Sequence, residues 1–362
     1  MEEQGKPKLP KSVLNIPGTK ADIQSGQLLI SSGIPSLDEL LGGGLPVGTV
    51  VLIEEDQYGS YSKIMLKYFL AEGIVSGHST FIASQDTSTD NIIRELPAVS
   101  GSDPEPEQAN AGDSAKMTIA FRYQNLPTIE KQKSLQIGHY YDLTKVMSHD
   151  VLNNADIHHW NKLNDYNNIP DTFSNPTFHH LLQSVKDKIK KGEFAVADKP
   201  EHRSVLRIGI HALGSPMWLP NSSAGFSIKQ SRDLDMFVFC LRAIVRSAFA
   251  VAFVTVPSHL LEKCSLERCI YSSDIVIRLQ SFAGTELENN PILSDHHGYF
   301  QVIKLAAINS FVSKHPGSVE YTFKLKRKKF CIEKLHLPPA FGDEKEIPTM
   351  GCGSSGKHLL EF

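Results

Sequence analysis

A chain of 362 residues with 41% hydrophobic and 21% charged residues has the balance of a globular protein, not a disordered one. That length holds one large domain or two ordinary ones. The formal net charge of −3 excludes a polycation, so any nucleic-acid binding needs a local patch or a partner.

Cys240, Cys264, Cys269, Cys331 and Cys352 are scattered and form no C-x-x-C pair. This usage suits a reduced intracellular chain without disulfides or structural zinc. The opening MEEQGKPKLPKS is polar, without the apolar core of a signal peptide. No apolar run approaches the length of a membrane span, so no membrane contact is expected.

Residues 1–26 carry Lys6, Lys8, Lys11 and Lys20 and read as a flexible arm. A core domain is expected over 27–338 and a loose tail over 339–362. Ser36 is placed to cap a short helix carrying Leu37, Leu40 and Leu41, which Gly42–Gly44 end. TVVLIE (49–54) is a continuous apolar run, as in a strand buried on both faces. Over 61–76, Ile64, Met65, Tyr68, Ala71 and Val75 share one helical face, opposite Lys63 and Lys67. STFIAS (79–84) is a second strand. Strand, helix and strand make a βαβ unit, the building block of a parallel sheet.

Residues 98–115 read as a low-complexity acidic loop, 117–124 as a strand, and 125–180 as an irregular insertion of loops and short helices. A helix then carries Leu181, Leu182, Val185 and Ile189. Strands follow at 204–213, 250–257 and 273–282, with a long helix at 233–249 and a short one at 259–269. Segments 296–305 and 319–338 read as antiparallel strands closing the sheet.

GCGSSGKH (351–358) fits the G-x-x-x-x-G-K spacing of a phosphate loop. It lacks the preceding strand and following helix that aim N–H groups at phosphate, and His358 stands at the Ser/Thr position. LDELLGGGLPVG followed by strand, loop and helix has the right context and other residues. This setting resembles the RecA-like ATPases, whose loop runs Gly-x-x-x-x-Gly-Lys-Thr. On that pattern Glu55 stands at the first glycine, Ser60 at the second, Tyr61 at the lysine and Ser62 at the threonine. The loop positions Glu55, Asp56, Gln57, Tyr58, Gly59, Ser60, Tyr61 and Ser62 thus form a degenerate phosphate loop. Glu54, Glu55 and Asp56 add negative charge where a polyphosphate would lie. Ser62 retains a hydroxyl that could touch a metal. The strand expected to end in a metal-holding acid carries His211 and Leu213 instead. The fold expected is α/β and RecA-like: a mostly parallel sheet flanked by helices, with antiparallel C-terminal strands.

GQLLISSGIPSLDELLGGGLPVGTVVLIEED, YFLAEGIVSGH, IAFRYQ, GHYYDLTK, LRIGIHALGSP and FKLKRKKFCIEKLHLPP together resemble the subunit 4 family of the Elongator complex. The blocks run from about residue 26 to residue 339 and are unusual in composition. The resemblance implies a RecA-like subunit without the ATPase signature. It implies a heterohexameric ring with subunits 5 and 6, two copies of each, docked on the catalytic subassembly. That assembly modifies the wobble uridine of certain tRNAs at carbon 5, and the ring binds tRNA. A secondary link to RNA polymerase II transcription, and a location in cytoplasm and nucleus, come with it. No cofactor of its own is implied; ATP would be held only through partner subunits.

The basic run Lys324, Lys326, Arg327, Lys328 and Lys329 has two readings. In a strand, Lys324, Lys326 and Lys328 alternate onto one face, as a lysine-guarded edge. The same charges suit phosphate contact, so they are candidate tRNA contacts. Arg122, beside Tyr123, could stack on an unpaired base or pack at a subunit boundary. Arg242 and Arg246 share a helical stripe and are candidates for the ring interface. The adjacent pairs His158–His159, His179–His180 and His296–His297 are poorly spaced for chelation, so no metal is expected. No catalytic residue stands out. The competing readings are an active RecA-type ATPase acting on DNA and an adaptor working through the acidic loop.

Overall fold

The structure is a computed structural model that describes residues 16–22, 25–100, 137–160, 173–219, 228–291, 293–308 and 320–335. The acidic segment beyond residue 100, the strand expected at 117–124 with Arg122, and the tail with GCGSSGKH lie outside the described residues.

Order begins before the boundary expected at residue 26. Ile16 is buried, and half-buried β1 (Thr19–Ala21) pairs antiparallel with β2 (Leu28–Ile30), whose Leu29 and Ile30 are buried. α1 (Pro35–Leu40) starts at Pro35, whose fixed φ favours the first helical position. Ser36 is therefore inside the helix and not its cap. Its hydroxyl instead accepts from the Ile332 N–H at 3.1 Å. β3 (Leu45–Pro46) completes a three-stranded sheet with β1 and β2.

β4 (Thr49–Glu54), α2 (Ser60–Val75) and β5 (Ser79–Ser84) form the expected βαβ unit. α3 (Thr89–Arg94) follows, and β6 (Pro97–Val99) pairs antiparallel with β7 (Tyr141–Val146). α4 (His149–Asn154) leads to β8 (Ile157–His159), which pairs parallel with β5. The span 125–180, read as an irregular insertion, thus supplies two strands, one of them part of the main sheet. β8 is hidden because it is short, carries two histidines and is only partly buried, and β7 because its second half, Thr144–Val146, is polar or exposed.

α5 (Pro176–Lys191) and β9 (Leu206–His211) lead to α6 (Ile228–Arg246). α6 ends sooner than the apolar pattern suggests, because Ser247 and Ala248 turn back to bond Ile244 and Val245. β10 (Ala250–Val256), α7 (Lys263–Ser272), β11 (Ile275–Ser281), β12 (Gly298–Lys304), β13 (Tyr321–Leu325) and β14 (Phe330–Lys334) complete the described chain.

The main sheet runs β14-β13-β12-β11-β4-β10-β9-β5-β8. From β11 to β8 the neighbours are parallel; β12, β13 and β14 extend that sheet antiparallel. Strand residues alternate between two cores, as the pleat requires. Val51 and Ile53 of β4 face α2, while Val50 and Leu52 face the side of α5 and α6.

A buried charge interrupts the apolar pattern in β9. Arg207, in β9, is fully buried under α2. Its guanidinium donates to the carbonyls of Ser31 (2.8 Å) and Phe69 (3.0 Å) and to His78 Nδ1 (3.0 Å). It also lies over the Phe69 ring, 4.9 Å from its centroid. Burial pushes its pKa down to about 10, and Glu72, Tyr141 and Asp38 oppose that shift. It stays charged at neutral pH. Burial and the charge of Arg207 hold His78 down at about 3, so the ring is neutral there. Its Nδ1 accepts from Arg207, and Nε2 therefore donates to the Pro17 carbonyl at 2.8 Å. Glu72, buried on α2, accepts from the Tyr141 hydroxyl (2.7 Å), the His139 N–H (3.0 Å) and Ser76 (2.9 Å).

Replacing Arg207 with Met leaves Glu72 buried without its counter-charge, and should remove about 3–5 kcal/mol of stability. Urea denaturation at pH 7 checks this. The double variant Arg207→Met/Glu72→Gln should recover part of the loss.

Candidate functional site

The loop between β4 and α2 sits at the carboxyl ends of the parallel strands, where ligands of open α/β sheets bind. Its residues fill that place from within. Asp56 is buried, and its carboxylate accepts from the N–H groups of Tyr58 (3.2 Å) and Tyr61 (3.3 Å). The Gly59 N–H bonds the Asp56 carbonyl at 2.9 Å. Gly59 has φ of 63°, a left-handed turn that glycine adopts without strain. The carboxylate thus lies where loop and helix N–H groups converge, the position that favours an anion.

The neighbouring acids point elsewhere. Glu54 pairs bidentately with Arg278 of β11, at 2.7 and 3.1 Å. Glu55 is buried beside Asp56 and Asp86, and its Oε1 has no hydrogen-bond partner. Burial pushes its carboxyl up to about 7, against hydrogen bonds from Thr255 and the Ala212 backbone. Asp86 is raised as well, by burial, and accepts from the Ser215 hydroxyl.

Tyr61, at the lysine position, is half-buried. Its ring packs 4.6 Å from Phe323 of β13 and 6.2 Å from His297. Burial raises its hydroxyl pKa. The buried Ser62 hydroxyl donates to the Gly59 carbonyl at 3.2 Å, a bond within the helix start. Gln57, Tyr58 and Ser60 are exposed. At the end of β9, His211 is buried with Nδ1 3.1 Å from the Ser84 hydroxyl. Burial and the charges of Lys63 and Lys67 lower its pKa to about 4.

The basic run is not one strand. Lys324 belongs to β13 and pairs with Glu333 of β14 at 3.0 Å. The chain then turns, closed by the Lys326 N–H to the Lys329 carbonyl at 2.9 Å. The alternation expected for Lys326 and Lys328 therefore does not hold; Lys326, Arg327 and Lys328 are exposed on a hairpin turn. Consecutive lysines and one arginine carry no turn signal of the Gly or Asn kind, which hid the bend. The Lys328 carbonyl accepts from the Leu143 N–H at 2.8 Å, which sets β7 beside the turn. Two hydrogen bonds from Thr144 keep the Asp142 carboxyl low, helped by Lys145 and Lys328. Exposed Lys145 thus joins the basic turn, a grouping the sequence does not reveal.

Arg242 and Arg246 both bind Asp274, at 2.9 and 2.6 Å. Asp274 is buried and also accepts from the Val50 N–H at 3.0 Å, so these arginines tie α6 to the start of β4 and β11. The adjacent histidines diverge: His158 stacks on Phe81, while His159 meets Thr89 and Asp90.

The architecture is an α/β fold with a mostly parallel sheet, in which the Asp56 carboxylate holds N–H groups of the β4–α2 loop. The family described as PAXNEB protein matches residues 12–362, and the chain belongs to it. Its relatives include the Elongator complex protein 4 of Danio rerio, 40% identical over 95% of this chain and 92% of that protein. The protein of the same name from Homo sapiens is 37% identical, covering 97% and 89%. The Saccharomyces cerevisiae protein is 24% identical, covering 89% and 76%. Among solved structures, a KaiC-like protein from Pyrococcus horikoshii aligns with TM-score 0.45 and 16% identity, covering 84% of this chain and 98% of that one.

The raised Glu55 pKa has a definite sign. A carboxyl at about 7 in the fold and near 4.5 when unfolded binds its proton more tightly in the folded state. Its contribution to stability is therefore present at low pH and declines as pH rises between those values. Glu55→Gln should melt increasingly above wild type as pH climbs through that window, with the difference constant beyond it; differential scanning calorimetry across pH checks this.

Tyr61→Lys restores the motif lysine but removes the contact with Phe323. It should lower stability by about 1–2 kcal/mol. Isothermal titration should give no ATP heat, because Asp56 still holds the N–H groups.

Proposed function

We propose that the chain is a non-catalytic subunit of the Elongator complex. In this reading it joins subunits 5 and 6 in a heterohexameric ring that docks on the catalytic subassembly. The ring supports tRNA binding during carbon-5 modification of the wobble uridine. A link to RNA polymerase II transcription is secondary, and the complex works in cytoplasm and nucleus. The observation that carries the reading is the β4–α2 loop: the frame of a nucleotide-binding subunit is kept, while Asp56 takes the anion's place and Tyr61 serves packing. The names of its relatives supply the complex. ATP, where it acts, would be held by partner subunits. The chain itself needs no metal or cofactor in this reading.

Lys326, Arg327 and Lys328 on the hairpin turn, with Lys145 beside them, are the proposed tRNA-facing group; Lys324 is engaged by Glu333. Arg122 belongs to the same proposal from its sequence context alone. Arg242 and Arg246 sit on a partly exposed stripe and are proposed near a ring interface.

Copurification with subunits 5 and 6, followed by a tRNA shift assay with and without ATP, tests the reading. A monodisperse chain that refuses both subunits would overturn it. ATP binding by the isolated chain would favour the active ATPase instead.

Within the assembled ring, Lys326→Ala/Lys328→Ala should reduce the slope of log affinity for tRNA against log salt by about 1–2. An unchanged slope would return these lysines to a purely structural edge.

A further inference from the structure

Helices α6 and α7 pack side by side and leave a groove of about 560 Å³ between them. Two large aromatic side chains stand in it uncovered: Phe239 is 63% exposed and Tyr271 81% exposed. Met236 is half-buried between them and the core. Arg232 and Arg268 lie on the rim, and Arg268 pairs with Asp235 at 3.1 Å. Aromatic residues, methionine and arginine are the types enriched where proteins meet. Paired exposed aromatics mark a contact site more than a solvated surface.

Charge distinguishes one end of the groove from the other. Along it, Arg232 and Arg268 face Asp235 and Glu267, an even balance. Beyond Tyr271 the balance turns positive. Arg242 and Arg246 share the one carboxylate of Asp274. Lys304 lies 5.6 Å from the Tyr271 ring centroid and donates to the carbonyls of Tyr271 (2.8 Å) and Ser273 (2.6 Å). Carbonyls satisfy its hydrogen bonds without cancelling its charge. This cationic end belongs to a chain of formal net charge −3. A complementary partner is therefore acidic there.

We propose that the α6–α7 groove docks an amphipathic helix of another subunit of the complex. Its apolar ridge packs on Phe239 and Tyr271, and its carboxylates meet Arg242, Arg246 and Lys304. A groove between two helices accepts a third through anchors spaced i, i+3 and i+7. The run from Arg232 to Phe239 is two helical turns of wall, about 10 Å. The inference rests on the reading that the chain works in the Elongator complex, and not on the ring as such.

The full chain tests it, as wild type and as Phe239→Ala/Tyr271→Ala, each mixed with the remaining purified subunits. Both side chains are exposed, so the isolated variant should melt with wild type. Its dissociation constant for the complex should rise at least about tenfold. Exposed Cys264 on the groove wall gives a second measurement that needs no variant of the aromatics. With Cys240 changed to alanine and Cys331 and Cys352 to serine, a photoreactive thiol reagent on Cys264 should crosslink to an acidic helix of another subunit. Wild type that joins the complex while the double variant joins as tightly overturns the groove and leaves membership standing. Wild type that fails to join overturns membership, and with it this partner. A crosslink to tRNA, or to a second copy of this chain, also overturns the proposal.

Discussion

A single buried guanidinium organises the side of the sheet that carries α2. Arg207 has no solvent exposure, so each of its contacts must come from protein. It finds them on the segment around Ser31, on α2 at Phe69 and on His78 just before β5. Glu72 then extends the network to His139 and Tyr141, across the interval from β6 to β7. Parts of the chain that are far apart in sequence are held to one charge. Removing that charge would leave several buried polar groups without partners at once.

The same helix positions the candidate site. α2 begins at a loop with a left-handed glycine, Gly59, at its helix cap, and an internal anion, Asp56. Tyr61 leaves the loop to pack on Phe323, and the Tyr68 hydroxyl accepts from the Phe330 N–H at 3.2 Å. The antiparallel extension is thus fastened to α2 at both β13 and β14. Its basic turn is in turn held beside Lys145 by the backbone bond to Leu143. Packing of Tyr61 on Phe323 thus helps fix where an exposed basic surface stands.

Electrostatics divide the described surface. Glu55, Asp56 and Asp86 gather at the carboxyl end of the strands, and burial raises both Glu55 and Asp86. The arginines of α6 lie at the opposite end of β4, where Asp274 bonds the Val50 N–H. Burial favours the neutral form of Glu55 and Asp86 at one end of the sheet, while half-exposed Arg242 and Arg246 lie at the other.

Much of this was legible from residue order. The apolar run 49–54 and the helical face beginning at Ile64 predict the βαβ unit, because hydrophobic periodicity is a local property. The acids in the loop and the tyrosine at the lysine position were visible as well. Their use was not: Asp56 could be read as added charge, but its service to the Tyr58 and Tyr61 N–H groups depends on how the loop closes. Arg207 inside LRIGIH carries no local signal of its role, since its partners come from residues 31, 69 and 78. β8 and the bend at Lys326 escaped because short, polar strands and a lysine-rich turn lack the periodicity and turn chemistry that sequence reading relies on. The sequence by itself determined the α/β class, the parallel core and the chemical types at the loop, since these follow from spacing and composition along the chain. Tertiary structure alone decided which carboxylate met which N–H, which arginine met Asp274, and which lysines shared a surface, because those pairings join groups that only folding brings within a few ångströms.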